Sequence, residues 1–338
     1  MGSRKILWSC LRVNVLNFKG ENMQGEEERR GIVALNVELS CDFMCENCER
    51  FFKCKSPEKL KIFDRRRMGR VRQTMARIKH KIAVCAGKGG VGKSMVTANL
   101  ATALAMRDNK IGILDHDFDG SCIPRMMGVL GKKLIMGRKG IIPVEGLLGI
   151  KIIAMGLILA EEDTNTWYHE LRRNATEEFL AHVQYGDDRD YLLIDLPPGT
   201  SSDAVNIMQY IPDLDGMIIV TNPTRVSQIV AKRALLMAIE AGVKVLGVIE
   251  NMSGYICPKC GVNTNVLKKG GGETLAKEFD VPFLGRIPLD PAVSYSSDVG
   301  KPYVYEYPES PASKAVFLIA DQIEEMVGER IQEEICQK

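Results

Sequence analysis

The chain has 338 residues, 45% apolar and 26% charged, with a formal net charge of +2. A chain this long buries a large core without staples, so its ten cysteines do not form the framework of a secreted disulfide scaffold. The near-neutral balance argues neither for nor against nucleic acid. The most apolar stretch, 141–160, is broken by Pro143, Glu145 and Lys151, which excludes a membrane span there.

In chain order, residues 1–60 carry a cysteine cluster and little periodic pattern. Arg12 and Asn14 interrupt the apolar part of a basic start, so no secretory leader is expected and the reading is cytoplasmic. Residues 61–81, KIFDRRRMGRVRQTMARIKHK, predict a basic, solvated linker helix. No aromatic residue stands among its arginines to stack on bases, so nucleic acid is not the expected partner. From 82 to 338, short apolar runs alternate with helical patterns. The runs are IAVCA (82–86), IGILD (111–115), IKIIAM around 151–155, YLLID (191–195), GMIIV (216–220) and VKVLGVI (243–249). Runs without alternation suit strands buried on both faces. Helical segments at 94–107 and 226–241 lie between them. The fold class is therefore α/β, a mostly parallel sheet flanked by helices, with a small cysteine-rich amino-terminal extension. The last helical pattern, from 311 on, is rich in Glu, which argues against an anionic membrane surface.

Between the first apolar run and the first helix stands Gly87-Lys88-Gly89-Gly90-Val91-Gly92-Lys93-Ser94. It fits G-x-x-x-x-G-K-[ST] in the strand-to-helix context that a phosphate-binding P-loop needs. Its glycines let backbone N–H groups face phosphate oxygens, Lys93 neutralises the β- and γ-phosphates, and Ser94 can ligate Mg²⁺. ATP is the expected nucleotide. Two acidic segments end later strands. Asp115-His116-Asp117-Phe118-Asp119-Gly120 follows the second run, and Asp195-Leu196-Pro197-Pro198-Gly199-Thr200 follows YLLID. Asp195 stands where a carboxylate would hold Mg²⁺ through water.

Two cysteine sets remain. Cys257-Pro258-Lys259-Cys260-Gly261 places two thiols for one metal, with a glycine to free the turn. Two thiolates are half of a tetrahedral site. Either a second pair in the chain completes a zinc site, or a two-fold dimer bridges one 4Fe–4S cluster. Cys41-x3-Cys45-x2-Cys48-x5-Cys54 forms the other set. Cys10 competes with Cys41 as its fourth ligand, and the short loop favours Cys41. The spacing of Cys41, Cys45 and Cys48 also occurs in radical S-adenosylmethionine enzymes, but too little chain precedes the P-loop for their barrel.

The two lysines of GKGGVGKS, with DLPPGT, ENMS and CPKCG, resemble the deviant Walker A family. That family holds the nitrogenase iron protein, the MinD and ParA organising ATPases, and the Mrp/ApbC iron–sulfur carriers. The resemblance to the carriers is strongest, and it extends to their longer branch through C-x2-C-x5-C. It implies an ATPase with slow hydrolysis that holds a 4Fe–4S cluster and hands it to apo-proteins. It implies a homodimer, or a heteromer with a paralogue, in which Lys88 reaches the partner's phosphates. It gives Asp117 the attacking water, Asp115 a place beside it, Gly199 a backbone N–H toward the γ-phosphate, and Asn251 the adenine edge. It gives Cys257 and Cys260 the bridging cluster, and Cys45, Cys48 and Cys54 a second cluster. Where the family has a Trp-Arg-Gly-Pro-like stretch, this chain has Trp167-Tyr168-His169-Glu170. A MinD/ParA-like organiser and an electron donor like the nitrogenase iron protein are the alternatives.

Overall fold

The computed structural model describes residues 66–158 and 169–336, apart from 139, 187, 212 and 258. The expectations for 1–60, with Cys41, Cys45, Cys48 and Cys54, lie outside the described residues, as does Trp167.

The basic stretch divides earlier than its composition implies. Helix α1 spans Arg66–Met75, and strand β1 already starts at Ile78 and ends at Ala86. Residues 78–81 of the expected linker helix are therefore strand. Hydropathy hides this because Lys81 is charged, yet it is only 4% exposed. Its ammonium donates to the Ile78 carbonyl at 2.9 Å and pairs with Asp213 at 2.9 Å. Nor is α1 a solvated connector. Val71 and Met75, four apart on one helical face, are buried in the cluster that holds Phe179 and Leu180.

After β1 come α2 (Lys93–Ala105), β2 (Ile111–Asp115), the short α3 (Ile123–Met126), β3 (Ile135–Gly137), β4 (Gly140–Ile142), β5 (Val144–Glu145) and β6 (Lys151–Ala154). Then follow α4 (His169–Ala181), β7 (Arg189–Asp195), α5 (Ser202–Tyr210), β8 (Gly216–Thr221), α6 (Arg225–Glu240) and β9 (Val245–Ile256). The chain goes on through β10 (Asn263–Thr264), α7 (Gly271–Glu278), β11 (Phe283–Leu289), α8 (Pro291–Asp298), α9 (Tyr303–Glu306) and α10 (Pro311–Cys336). Among the described residues the main sheet runs β10-β9-β8-β1-β7-β2-β6-β5, with β11 also paired to β9. All its pairings are parallel except β10 with β9 and β5 with β6.

Both faces of the sheet are covered, which is why the strands read as unbroken apolar runs. Along β1, Ile82, Val84 and Ala86 enter one core with Leu100 and Leu104 of α2 and Val316 and Ile323 of α10. Ala83 and Cys85 enter the other, with Leu235 of α6 and Ala204 of α5. The acidic terminal helix thus turns an apolar stripe to the sheet, and Arg107 pairs with its Glu324. None of the described helices is long and apolar enough to cross a membrane. Strand β1 lies between β7 and β8. The chain goes to β2 on one side and later to β8 and β9 on the other. Its carboxyl end is therefore the point where open α/β sheets bind ligands.

Candidate functional site

The loop 87–94 leaves β1 at that point and turns directly into α2. Gly90 and Gly92 have φ of 78° and 85°, a region that a side chain resists. Gly87 is needed for space: a Cβ there would lie 2.2 Å from the Val230 carbonyl of α6. Gly92 caps α2 with no side-chain hydrogen bond, so the first N–H groups of the helix face the loop's concavity, where an anion is favoured.

Strand register brings the acids to this loop. Asp195 ends β7 and pairs in register with Val84 of β1 and Asp115 of β2. Both carboxylates are fully buried. Asp195 accepts from Lys93 Nζ at 2.6 Å, Ser94 Oγ at 2.6 Å and Thr97 Oγ1 at 2.7 Å. Asp115 accepts from the Asp117 N–H at 3.1 Å, Ser121 Oγ at 2.8 Å and the Ile123 N–H at 3.2 Å. It shapes the turn that presents Asp117, whose carboxylate lies 3.9 Å from Lys93. Burial pulls the Lys93 ammonium down, but the charges of Asp195, Asp115 and Asp117 outweigh it and hold the group above its ordinary value. Burial, followed by the charge of Asp195, lifts Asp115 well above the carboxylate range. Burial likewise raises Asp117. Three acidic side chains thus converge on one ammonium. The oxygen-only set of Ser94 and Asp195 is the chemistry that a hard divalent cation favours.

Lys88 is the opposite of Lys93. It is half-buried, and among the described residues its ammonium has no ion pair or hydrogen bond.

Cys257 and Cys260 lie where β9 runs out of the sheet and turns back. Tyr255 and Ile256 pair antiparallel with Thr264 and Asn263. The turn closes through Gly261 N–H to the Cys257 carbonyl at 2.8 Å, with Gly261 at φ 70°. Cys257 is half-buried and Cys260 is exposed. The backbone N–H groups of Cys260 and Lys259, and the Cys260 thiol, lower the Cys257 pKa from its ordinary value. Its thiolate, the form that ligates metal, is thereby favoured. Among the described residues no third His, Cys, Asp or Glu joins the pair.

A scan against known families matches residues 77–324 to the ParA family's NUBPL iron-transfer P-loop NTPase. The chain belongs to this family. An iron-sulfur cluster carrier protein of Saccharolobus solfataricus is 42% identical over 259 residues, 76% of this chain and 87% of the relative. The cytosolic Fe-S cluster assembly factor NUBP2 of Bos taurus is 39% identical over 254 residues, 74% of this chain and 93% of the relative. Among solved structures, a nucleotide-binding protein of Archaeoglobus fulgidus in complex with ADP matches with TM-score 0.63 and 35% identity, covering 73% of this chain and 95% of that one. MinD of Pyrococcus horikoshii matches with TM-score 0.56 and 23% identity, over 74% and 97%, a likeness of fold alone. This is the fold class that the sequence implied.

Within this family member two expected contacts are arranged differently. The Gly199 N–H donates to the Ala86 carbonyl at 2.8 Å, so a phosphate-facing role requires it to leave β1. Asn251 is 1% exposed, and its amide donates to the Val91 carbonyl of the P-loop at 2.8 Å. A base-reading role requires that amide to leave the loop. Sequence reasoning missed Thr97 and Glu250. Thr97 was legible in hindsight, because it lies one helical turn after Lys93 on the same face. Glu250 ends an apolar run and carried no local signal.

Proposed function

We propose that the chain is an ATP-dependent scaffold that holds a 4Fe–4S cluster and passes it to apo iron–sulfur proteins. The observation that carries this is the thiol pair at the turn between β9 and β10, on the strand whose Asn251 holds the P-loop. A half-buried thiol with a favoured thiolate beside an exposed one suits a cargo that must be shared and released. Two copies, or one copy and a paralogue, would each supply Cys257 and Cys260 to one cluster. The carrier and assembly-factor names of the relatives support the cargo, and the word cytosolic in one of them supports a place in the cytoplasm.

ATP would enter with its phosphates over Gly89–Ser94. Lys93 would then shift from Asp195 to the β- and γ-phosphates. Mg²⁺ would be held by Ser94 and, through water, by Asp195, and would supply charge for the phosphates. Asp117 would orient the water, and Lys88 from the partner would reach the same phosphates. Hydrolysis would be slow, because nucleotide state sets the dimer's geometry and so the exposure of the cluster.

Anaerobic reconstitution tests this reading. The wild-type protein is expected to gain iron and sulfide and to pass them to an apo-acceptor. Changing Cys257 and Cys260 together to Ala should abolish transfer and remove the cluster absorption of the interface. A wild-type protein that is colourless, zinc-filled and monomeric with nucleotide bound overturns it.

A further inference from the structure

Residues 250–253 touch both halves of the machinery. The segment that carries the thiols runs from Ser253, within β9, through the β9–β10 turn to Gly270 at the start of α7. Both ends converge on Glu250, which is fully buried. Its carboxylate accepts from Ser253 Oγ at the exit and from the Gly270 N–H, at 2.9 Å, and the Gly272 N–H at the return. Arg286 Nε lies 3.5 Å away and balances the charge, and the start of α7 adds its positive end. The sequence accommodates this neck with three glycines. Gly270 has φ 94°, a Cβ on Gly271 would lie 1.9 Å from Gln228 Nε2, and a Cβ on Gly272 would lie 2.9 Å from Glu250 Cβ.

The next residue faces the other way, as alternation along a strand requires. Asn251 donates to Val91 in the P-loop, and its Nδ2 fills the space where a Cβ on Gly92 would stand, at 2.2 Å. Met252 then takes φ 56°, a left-handed conformation that an unbranched side chain adopts only under constraint. Consecutive residues are thus fixed to the phosphate loop on one face and to the hairpin neck on the other.

We infer that Glu250 is a positioning residue for the Cys257–Cys260 pair and that, through Asn251, it couples P-loop occupancy to the placement of those thiols. This rests on reading the pair as the cluster-holding thiols. Phosphates entering the loop displace the segment around Val91. Asn251 follows its carbonyl, β9 shifts at 250–252, and both arms of the hairpin move as one because a single carboxylate holds them. Without that carboxylate the hairpin still forms, but its neck no longer follows the strand.

The test is the rate of alkylation by iodoacetamide at Cys257 and Cys260, resolved by peptide mass spectrometry on the full chain. Each protein is measured with and without a non-hydrolysable ATP analogue and Mg²⁺. In wild-type protein the analogue is expected to change both rates at least threefold. In Glu250→Gln the analogue should still bind and the association state should be unchanged, while the rate change falls below 1.5-fold. Glu250→Asp, which keeps the charge, should recover part of it. Should Glu250→Gln fold poorly, Ser253→Ala removes only the exit-side bond and is expected to halve the response. A wild-type response that persists in folded Glu250→Gln overturns the inference, as does a wild-type protein with no response. Iron and sulfide content of reconstituted wild-type protein is read separately. Its absence sinks the carrier reading and leaves the thiol response intact.

Discussion

His116 sits between Asp115 and Asp117 and is fully buried. Its Nε2 lies 2.7 Å from Thr176 Oγ1, and that hydroxyl donates its own proton to the Arg172 carbonyl. Nε2 must therefore carry the ring proton and donate. Burial, then the charges of Arg172 and Lys93, push the imidazole down to about 3. The native ring stays neutral at pH values where an unfolded chain's ring, titrating at its ordinary 6.5, takes a proton. The unfolded state then binds more protons, so stability falls as pH drops from 6.5 toward 3 and is level above 6.5. Asp115, with its raised pKa, acts in the opposite sense as pH rises. A comparison of variants separates the two. His116→Gln keeps a donor for Thr176 without the titration, so its urea midpoint should fall less steeply between pH 6.5 and 4 than the wild-type midpoint. Parallel slopes would show that His116 is not the source.

At the scale of elements, the P-loop depends on contacts its own residues do not advertise. Gly87→Ala would place a methyl 2.2 Å from the backbone carbonyl of Val230, and backbone on α6 cannot swing aside as a side-chain tip can. The expected outcome is a loss of about 1–3 kcal/mol in urea unfolding, the usual cost of overpacking, together with loss of nucleotide binding by calorimetry. Gly89→Ala has nothing within 4 Å of its Cβ and is the control that should leave stability near wild type. What was legible in the sequence follows the same line. The strands showed because β1, β2, β7 and β8 are buried on both faces, and the phosphate loop showed because its chemistry is contiguous. The start of β1 was hidden because Lys81 finds its counter-charge on Asp213, far along the chain. The engagements of Asn251 with Val91, 160 residues apart, and of Gly199 with Ala86 were hidden for the same reason. They are tertiary pairings, and no local pattern encodes them.

For the whole molecule, the two lysines of one loop differ in what their own chain offers them. Lys93 is 6% exposed and lies in a cage of its own chain's carboxylates, so its removal leaves Asp195 buried without its cation. That is destabilising as well as inactivating. Lys88 has no such partner among the described residues, and Lys88→Ala should leave the unfolding free energy in urea within about 0.5 kcal/mol of wild type. If Lys88 acts in trans, its loss should still lower ATP hydrolysis on the order of 10³-fold, the scale of a cationic finger. Mixing decides between trans and cis. A dimer of one Lys88→Ala chain and one Lys93→Ala chain has one site lacking both lysines and one site with both, because each chain supplies what the other needs. Random exchange makes half of the dimers mixed, so activity should return to about a quarter of the wild-type rate. Were Lys88 to act within its own chain, each site of the mixed dimer would lack one lysine. The mixture would then stay as inactive as its components, and a cluster shared across two copies would lose its nucleotide-borne link.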